Sequence, residues 1–369
     1  MRFLVFFVLL APLLSFGQTD LIDSLVKANI NHESENPIHS ILLYIENLEK
    51  NVIYHEGFGK LDKDSEKVSK NDQFKIASST KLFVSTIILQ LAEEGKLNLD
   101  DKAYRYLKDL DYLDFDNFHI YKEKNYSKEI TIKQLLSHRS GLADIFSDKQ
   151  QEFFNYLLED PSRQFSPKSI VELYYKFNLN KASHFDPSTG WIYSDMNYLL
   201  IGLIIEQIDQ TTLSESIRKR ILEPLKMSDT YFEFYEPRRQ KNNLINQYVG
   251  NVNFTKINTS FDWSGGGLVS TNKDLATFIT ALFNLKLING KSLQKMIDVQ
   301  FTKDHEKRYG LGIYESEYNG NIYYGHYGFY GTYVGYCPKT KTVISYCISQ
   351  TNLTFNKNEF INKTLTLVE

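Results

Sequence analysis

The sequence predicts an α/β protein whose sheet is built from both ends of the chain, with a mostly helical segment inserted between them. Two strand-like apolar runs, residues 38–44 and 51–57, flank a polar turn near the N-terminus, and four more, 309–314, 322–326, 332–337 and 342–348, lie near the C-terminus. Between residues 102 and 257 the pattern changes to helices joined by long polar loops. Strands at opposite ends most simply share one sheet, which gives an α/β domain of 18–101 plus 258–369 and a helical insertion of 102–257.

Taken in order, Arg2 precedes an apolar run at 3–14, and Ser15-Phe16-Gly17 then offers small residues before a cut at Gln18. This is the pattern of a secretory signal peptide, 1–17, and it predicts a secreted or periplasmic protein. The run is shorter than the roughly 18 residues that span a bilayer, so no transmembrane anchor is expected. Residues 20–30 have the spacing of a short amphipathic helix. Residues 82–92, with apolar positions at 84, 87, 88 and 91, read as a buried helix stopped by Gly95. Helical spacing recurs at 132–137, 169–177, 198–208, 217–225 and 274–285, the last after the triplet Gly265-Gly266-Gly267.

Composition excludes several functions. The 369 residues are 42% hydrophobic and 24% charged with a net charge of −3, ordinary values for a globular protein. No run of five like charges appears, so no nucleic acid partner is implied. Cys337 and Cys347 flank the turn at 338–341; if that turn closes a hairpin, Cys337 faces a residue near Val343 and both thiols stay free and buried. Metal-ligand spacings, a phosphate-binding loop and a Gly-x-Ser-x-Gly elbow are absent, so neither metal nor cofactor is expected.

A hydroxyl nucleophile needs a base nearby, and Ser followed three residues later by Lys supplies one on the same helix face. The pair occurs five times: Ser24/Lys27, Ser78/Lys81, Ser216/Lys219, Ser270/Lys273 and Ser292/Lys295. Context selects Ser78, which sits where the apolar run 74–77 meets the buried helix. There its hydroxyl has a helix N-terminus to stabilise developing negative charge. Burial also lowers the pKa of an ammonium group, as a base at neutral pH requires, whereas the other four lysines lie on polar segments.

Five ordered motifs then resemble the class C β-lactamase-related serine hydrolases, a group that includes D-alanyl-D-alanine peptidases, D-aminopeptidases and esterases. They are Ser78 to Lys81; Leu135-Leu136-Ser137-His138-Arg139-Ser140-Gly141-Leu142; Tyr193-Ser194-Asp195; Gly265-Gly266-Gly267-Leu268-Val269-Ser270-Thr271; and Gly325-His326-Tyr327-Gly328-Phe329. The resemblance covers residues 38–352. It implies a β-lactamase/penicillin-binding-protein-like antiparallel sheet flanked by helices, an inserted helical domain, and an active site in the groove between them. It also implies Ser78 as acylated nucleophile, Lys81 as base or proton relay, and Tyr193 as second proton-transfer group. The N–H groups of Ser78 and Phe329 would form the oxyanion hole, with Phe329 following the His326-Tyr327-Gly328 triplet on an edge strand. Asp195, His326 and Gly328 would contact substrate.

Two positions depart from the family pattern. Asp195 stands where the tyrosine motif usually ends in Asn; it would either hold Lys81 cationic or cap the helix from Tyr198. His326 replaces the lysine of β-lactamases, which the resemblance associates with the peptidase and esterase branches. At its reference pKa of about 6.5, His326 would be a weak carboxylate anchor, losing charge between about pH 6 and 8. Arg139, Lys303 and Arg308 are candidate substitutes for it, and His138 reads as a packing and capping residue. The expected activity is an exported serine hydrolase acting through an acyl-enzyme on peptide, amide or ester substrates, small molecules or peptides derived from cell wall among them. The alternatives are a non-catalytic binder of peptidoglycan fragments or of a partner, and a true β-lactamase.

Overall fold

The computed structural model describes residues 16–238, 242–301 and 308–368. The predicted signal peptide lies outside the described residues except for Phe16 and Gly17, and Lys303 also lies outside them. Among the described residues, eight strands form the main sheet: β1 (Ser40–Asn47), β2 (Val52–Gly59), β3 (Gln300–Phe301), β4 (Arg308–Tyr309), β5 (Tyr314–Tyr318), β6 (Asn321–Gly328), β7 (Thr332–Cys337) and β8 (Thr342–Ile348). Their order is β3-β4-β5-β6-β7-β8-β1-β2, every pair antiparallel, so the two ends of the chain do share one sheet through the β8–β1 pairing.

The period-2 pattern buries both faces. In β1, Leu42 and Tyr44 join the larger core, while Ile41, Leu43 and Ile45 join the smaller core on the other face. Helices α1 (Phe16–Lys27) and α8 (Lys357–Thr366) cover that second face with Ile22, Val26, Phe360, Ile361 and Leu365. On the first face lie α2 (Thr80–Glu93) and α7 (Asn272–Phe283), with Phe83 and Phe278 stacked 3.8 Å apart. The segment between them contributes α3 (Ile132–Leu136), α4 (Gln150–Glu159), α5 (Pro167–Lys176) and α6 (Asp195–Asp209). Of these, α6 is buried between α2, α3 and the short helix Trp263–Gly266. Each fully buried Leu or Ile is worth about 1.5–3 kcal/mol, which explains why α2 and α6, apolar on nearly every side, sit at the centre.

Several expectations need correction. The triplet strand β6 is internal, because β3, β4 and β5 extend the sheet beyond it. The run 309–314 divides between β4 and β5, and the helix expected at 217–225 is an α-turn, Leu213–Ile217, followed by a π-turn, Arg218–Leu222. Both cysteines are free and buried as expected, but Cys337 pairs with Thr342 rather than Val343. A second reason now excludes a bridge: Cys337 faces the core under α8 and Cys347 the core under α2.

A small antiparallel sheet joins Phe74–Lys75 to Leu268–Ser270 and that strand to Tyr231–Phe232, bringing the segment before Ser78 beside the one after the glycine triplet. Lys75 is buried there, with Nζ 2.9 Å from Glu233 and donating to Thr259 Oγ1 at 2.8 Å. Removing one partner of such a pair strands the other charge, so Lys75→Ala lowers unfolding free energy in urea by about 3 kcal/mol, and Lys75→Met with Glu233→Met recovers most of it. Equal stability of Lys75→Ala and wild type would contradict this.

Candidate active site

The nucleophile sits in a strained turn. Ala77 has φ 45°, a left-handed conformation that costs a non-glycine residue of order 1–3 kcal/mol, and the 3-10 turn Ala77–Ser79 then runs into α2. Packing of Ala77 against Phe254, Ile257 and Tyr330 holds this turn. Ser78 is thereby placed in the first turn of a helical segment, where backbone N–H groups lack intrahelical acceptors.

Lys81, fully buried one turn on, donates to Ser78 Oγ at 3.0 Å, Asp195 Oδ1 at 2.5 Å and the Gly265 carbonyl at 2.7 Å. Three acceptors at one nitrogen saturate an ammonium group. The competing sites differ: Lys27, Lys219, Lys273 and Lys295 are all exposed. Gly265 is required here, since a Cβ would lie 2.6 Å from Asp195 Oδ1 and 3.5 Å from Lys81 Nζ. Asp195 opens α6 as its first residue and makes no side-chain cap, so of its two readings the lysine partner is the one present.

Tyr193 precedes α6, and the Lys81 Nζ lies 4.9 Å from its ring centroid. Its hydroxyl is buried without a hydrogen bond among the described residues. Burial pushes the phenol well above its usual pKa and the Asp195 charge adds to this, against a smaller opposing effect of the Ser78 hydroxyl. Tyr193 is therefore a neutral phenol, fit to give a proton. The Leu135 to Leu142 motif supports it: the His138 ring packs 4.1 Å from the Tyr193 ring, and His138 Nδ1 accepts from Ser194 N–H at 3.2 Å and faces Asn197 Nδ2 at 3.1 Å. Ser140 Oγ donates to Asn197 Oδ1 at 2.6 Å, which fixes that amide. Burial holds the His138 imidazole well below its usual pKa, with the Lys81 charge adding to this.

Two carboxyl groups were not singled out from sequence. Asp144 Oδ1 accepts the Asp195 N–H at 2.8 Å, while Oδ2 caps the helix Ile145–Asp148 through Phe146 and Ser147. Burial raises its pKa, and the Asp195 charge reinforces the shift. Asp262 accepts from Tyr330 Oη at 2.7 Å, and burial first, Asp195 second, raise its pKa to about 7. The glycine triplet downstream of Asp262 and the motif running into Asp144 were visible, but the convergence of both acids on Asp195 is a product of tertiary packing.

His326 departs from expectation. Its Nδ1 lies 2.7 Å from the Tyr327 carbonyl and its Nε2 3.0 Å from Tyr309 Oη, so Nδ1–H donates and Nε2 accepts within the protein. Burial, aided by the Lys81 charge, lowers its pKa to about 3. The ring is thus neutral throughout pH 6–8 and has no nitrogen left for a substrate carboxylate. Arg308 pairs with Glu315 at 2.6 Å, and Arg139 reaches the Gly190 carbonyl at 3.4 Å. Gly328 brings β6 against the nucleophile turn, where a Cβ would lie 2.2 Å from the Ile76 carbonyl oxygen. Phe329 follows as the chain leaves β6, its side chain 57% exposed at the groove mouth.

These residues line a groove of about 860 Å³ that contains Ser78, Tyr193, Asp195, Asp262, His326, Gly328 and Phe329. With Asp144 and Asp262, not His326, raised to about 7, a carboxylate-bearing substrate meets growing repulsion as pH rises through neutrality. The rate of acylation by a penicillin relative to an uncharged ester should therefore fall between pH 6 and 8, fall less steeply in Asp262→Asn, where Asp144 alone still titrates, and keep its slope in His326→Gln. A slope that vanishes only in His326→Gln would return the role to the imidazole.

The Beta-lactamase family profile matches residues 49–365. Protein flp of Staphylococcus aureus (strain COL) is 33% identical over 185 residues, 49% of this chain and 32% of that protein, so the alignment spans about a third of that relative. Among solved structures, a D-stereospecific amidohydrolase from Streptomyces sp. superposes with TM-score 0.77 at 20% identity, covering 92% of this chain and 98% of that one. D-Amino acid amidase from Ochrobactrum anthropi SV3 gives 0.76 at 21%, covering 96% and 98%. These two similarities are of fold.

Proposed function

The chain belongs to the Beta-lactamase family, and from that premise we propose that it is an exported serine hydrolase, acting through an acyl-enzyme on Ser78 with amides, peptides or esters as substrates. The observation that carries this reading is the buried Lys81 ammonium joining Ser78 Oγ, Asp195 and the Gly265 carbonyl, with the neutral Tyr193 phenol beside it. Ser78 attacks the carbonyl as Lys81, having passed one of its three protons to Asp195, takes the Ser78 proton. Tyr193 gives its proton to the leaving amine or alcohol and is reprotonated by Lys81, Asp195 returns its proton to Lys81, and water repeats the sequence on the ester. The N–H groups of Ser78 and Phe329 hold the oxyanion, each donor worth roughly 2.7–4 kcal/mol.

The proteins similar in fold are named for D-stereospecific amidohydrolase and D-amino acid amidase activity, which favours the D-amino-acid peptidase or esterase type over a dedicated β-lactamase. The neutral, internally bonded His326 points the same way, because it offers no cation to a β-lactam carboxylate. Turnover tests the reading: the purified protein cleaves a D-amino acid amide or a simple ester faster than it cleaves a penicillin. Penicillin as the best of the three would reverse the order, and turnover of none would refute hydrolysis.

A further inference from the structure

The groove has two arms that differ in chemistry. One is phenylalanine-lined: α4 contributes Phe153, Phe154 and Leu157, and Phe146, Phe254 and Phe261 complete it. Its rings meet edge to face, Phe146 with Phe153 at 5.0 Å and Phe153 with Phe261 at 5.1 Å, and Phe254 lies 6.3 Å from the exposed Phe329. The other arm is hydroxyl-rich, lined by Tyr314, Ser316, Tyr318 and Tyr327 together with Glu317 and with Glu315, which pairs with Arg308, and with Lys357 over the Tyr327 ring at 4.7 Å.

The proton donor tells the arms apart. Tyr193 packs toward the second arm through Tyr309, 6.4 Å between ring centroids, and through His326, which in turn meets Tyr314 at 5.0 Å. The group that receives a proton on leaving must lie on the donor's side, so the acyl half lies in the other arm. Charge restricts that half further. Asp144, Asp195 and Asp262 line the root of the phenylalanine arm, and Lys357 of the second arm is the one Lys or Arg among the described lining residues. An acyl group carrying a carboxylate would meet Asp144 and Asp262, which ionise near neutrality, beside the Asp195 already paired with Lys81, whereas an uncharged ring would cover apolar surface, including that of Phe329.

Resting on the acyl-enzyme reading above, we propose that the phenylalanine-lined arm is the acyl subsite and that the enzyme selects substrates whose acyl group ends in an uncharged aryl ring. Hydrolysis of four esters, followed by proton release, tests it: methyl acetate, methyl 4-phenylbutyrate, 2-phenylethyl acetate and monomethyl succinate. At about fourfold per buried methylene, methyl 4-phenylbutyrate exceeds methyl acetate in kcat/KM by about 100-fold. Moving the ring to the leaving group, in 2-phenylethyl acetate, forfeits most of that gain, and monomethyl succinate falls below methyl acetate. Phe154→Ala lowers the phenylbutyrate-to-acetate ratio about tenfold, a ratio that does not depend on how much of the preparation is folded.

A flat acyl preference, an equal gain from the ring on either side of the ester, or an unchanged ratio in Phe154→Ala each overturns the subsite while leaving the hydrolase reading intact. Failure of all four esters, together with failure of a fluorophosphonate to add mass at Ser78, refutes the hydrolase reading and the subsite with it.

Discussion

Ser78→Ala lowers kcat/KM for an ester substrate by at least about 10⁴-fold, because no neighbouring hydroxyl can replace the nucleophile. Ser79 is the nearest in sequence, yet its Oγ is buried and donates to the His326 carbonyl at 3.0 Å. Thr80 Oγ1 accepts the Leu268 N–H at 3.2 Å and is likewise committed to the fold. The substitution removes one of three acceptors from Lys81 while leaving Asp195 and the Gly265 carbonyl in place. Thermal stability should therefore stay close to wild type, and loss of activity with an unchanged unfolding curve separates chemistry from folding. Residual turnover within tenfold of wild type would mean that another group attacks.

Lys81→Arg should be nearly as inactive as Lys81→Ala, with kcat down by about 10³-fold, within the range a positioned acid–base group supplies. Guanidinium keeps the positive charge and would still pair with Asp195, but it does not deprotonate, so it cannot carry the Ser78 proton. The comparison isolates proton transfer from charge. If Lys81 acted only as a cation beside Ser78, Lys81→Arg would retain much of the rate that Lys81→Ala loses. Steady-state turnover of an uncharged ester, measured with circular dichroism to confirm the fold, decides between the two.

Much of this was legible in the sequence because it is local. Ser78 and Lys81 lie three residues apart on one helix, and the apolar spacing of residues 82–92 announced the burial of the helix that α2 became. The sharing of one sheet by both chain ends followed from strand-like runs at each, and the free thiols from a register one residue from that observed. Long-range convergence was not legible. Asp144 and Asp262 approach Asp195 from segments 51 residues before it and 67 after it, and nothing in their local sequence marks the meeting. The His326 expectation failed for the same reason. A reference pKa belongs to a solvated imidazole, whereas here Tyr309, two strands away in β4, takes one nitrogen and burial removes the charge. Placing β6 at an edge was a matter of counting strands: two-residue strands such as Arg308–Tyr309 carry no periodic signal.

On this mechanism one serine, Ser78, activated by the buried lysine, becomes covalently acylated. Intact-mass measurement of the wild type and Ser78→Ala after exposure to a fluorophosphonate tests it most directly. A single adduct is expected on the wild type, mapped by peptide digestion to Ser78, and none on Ser78→Ala. Labelling that survives in Ser78→Ala, or an adduct mapped to Ser24, Ser216, Ser270 or Ser292, would contradict it.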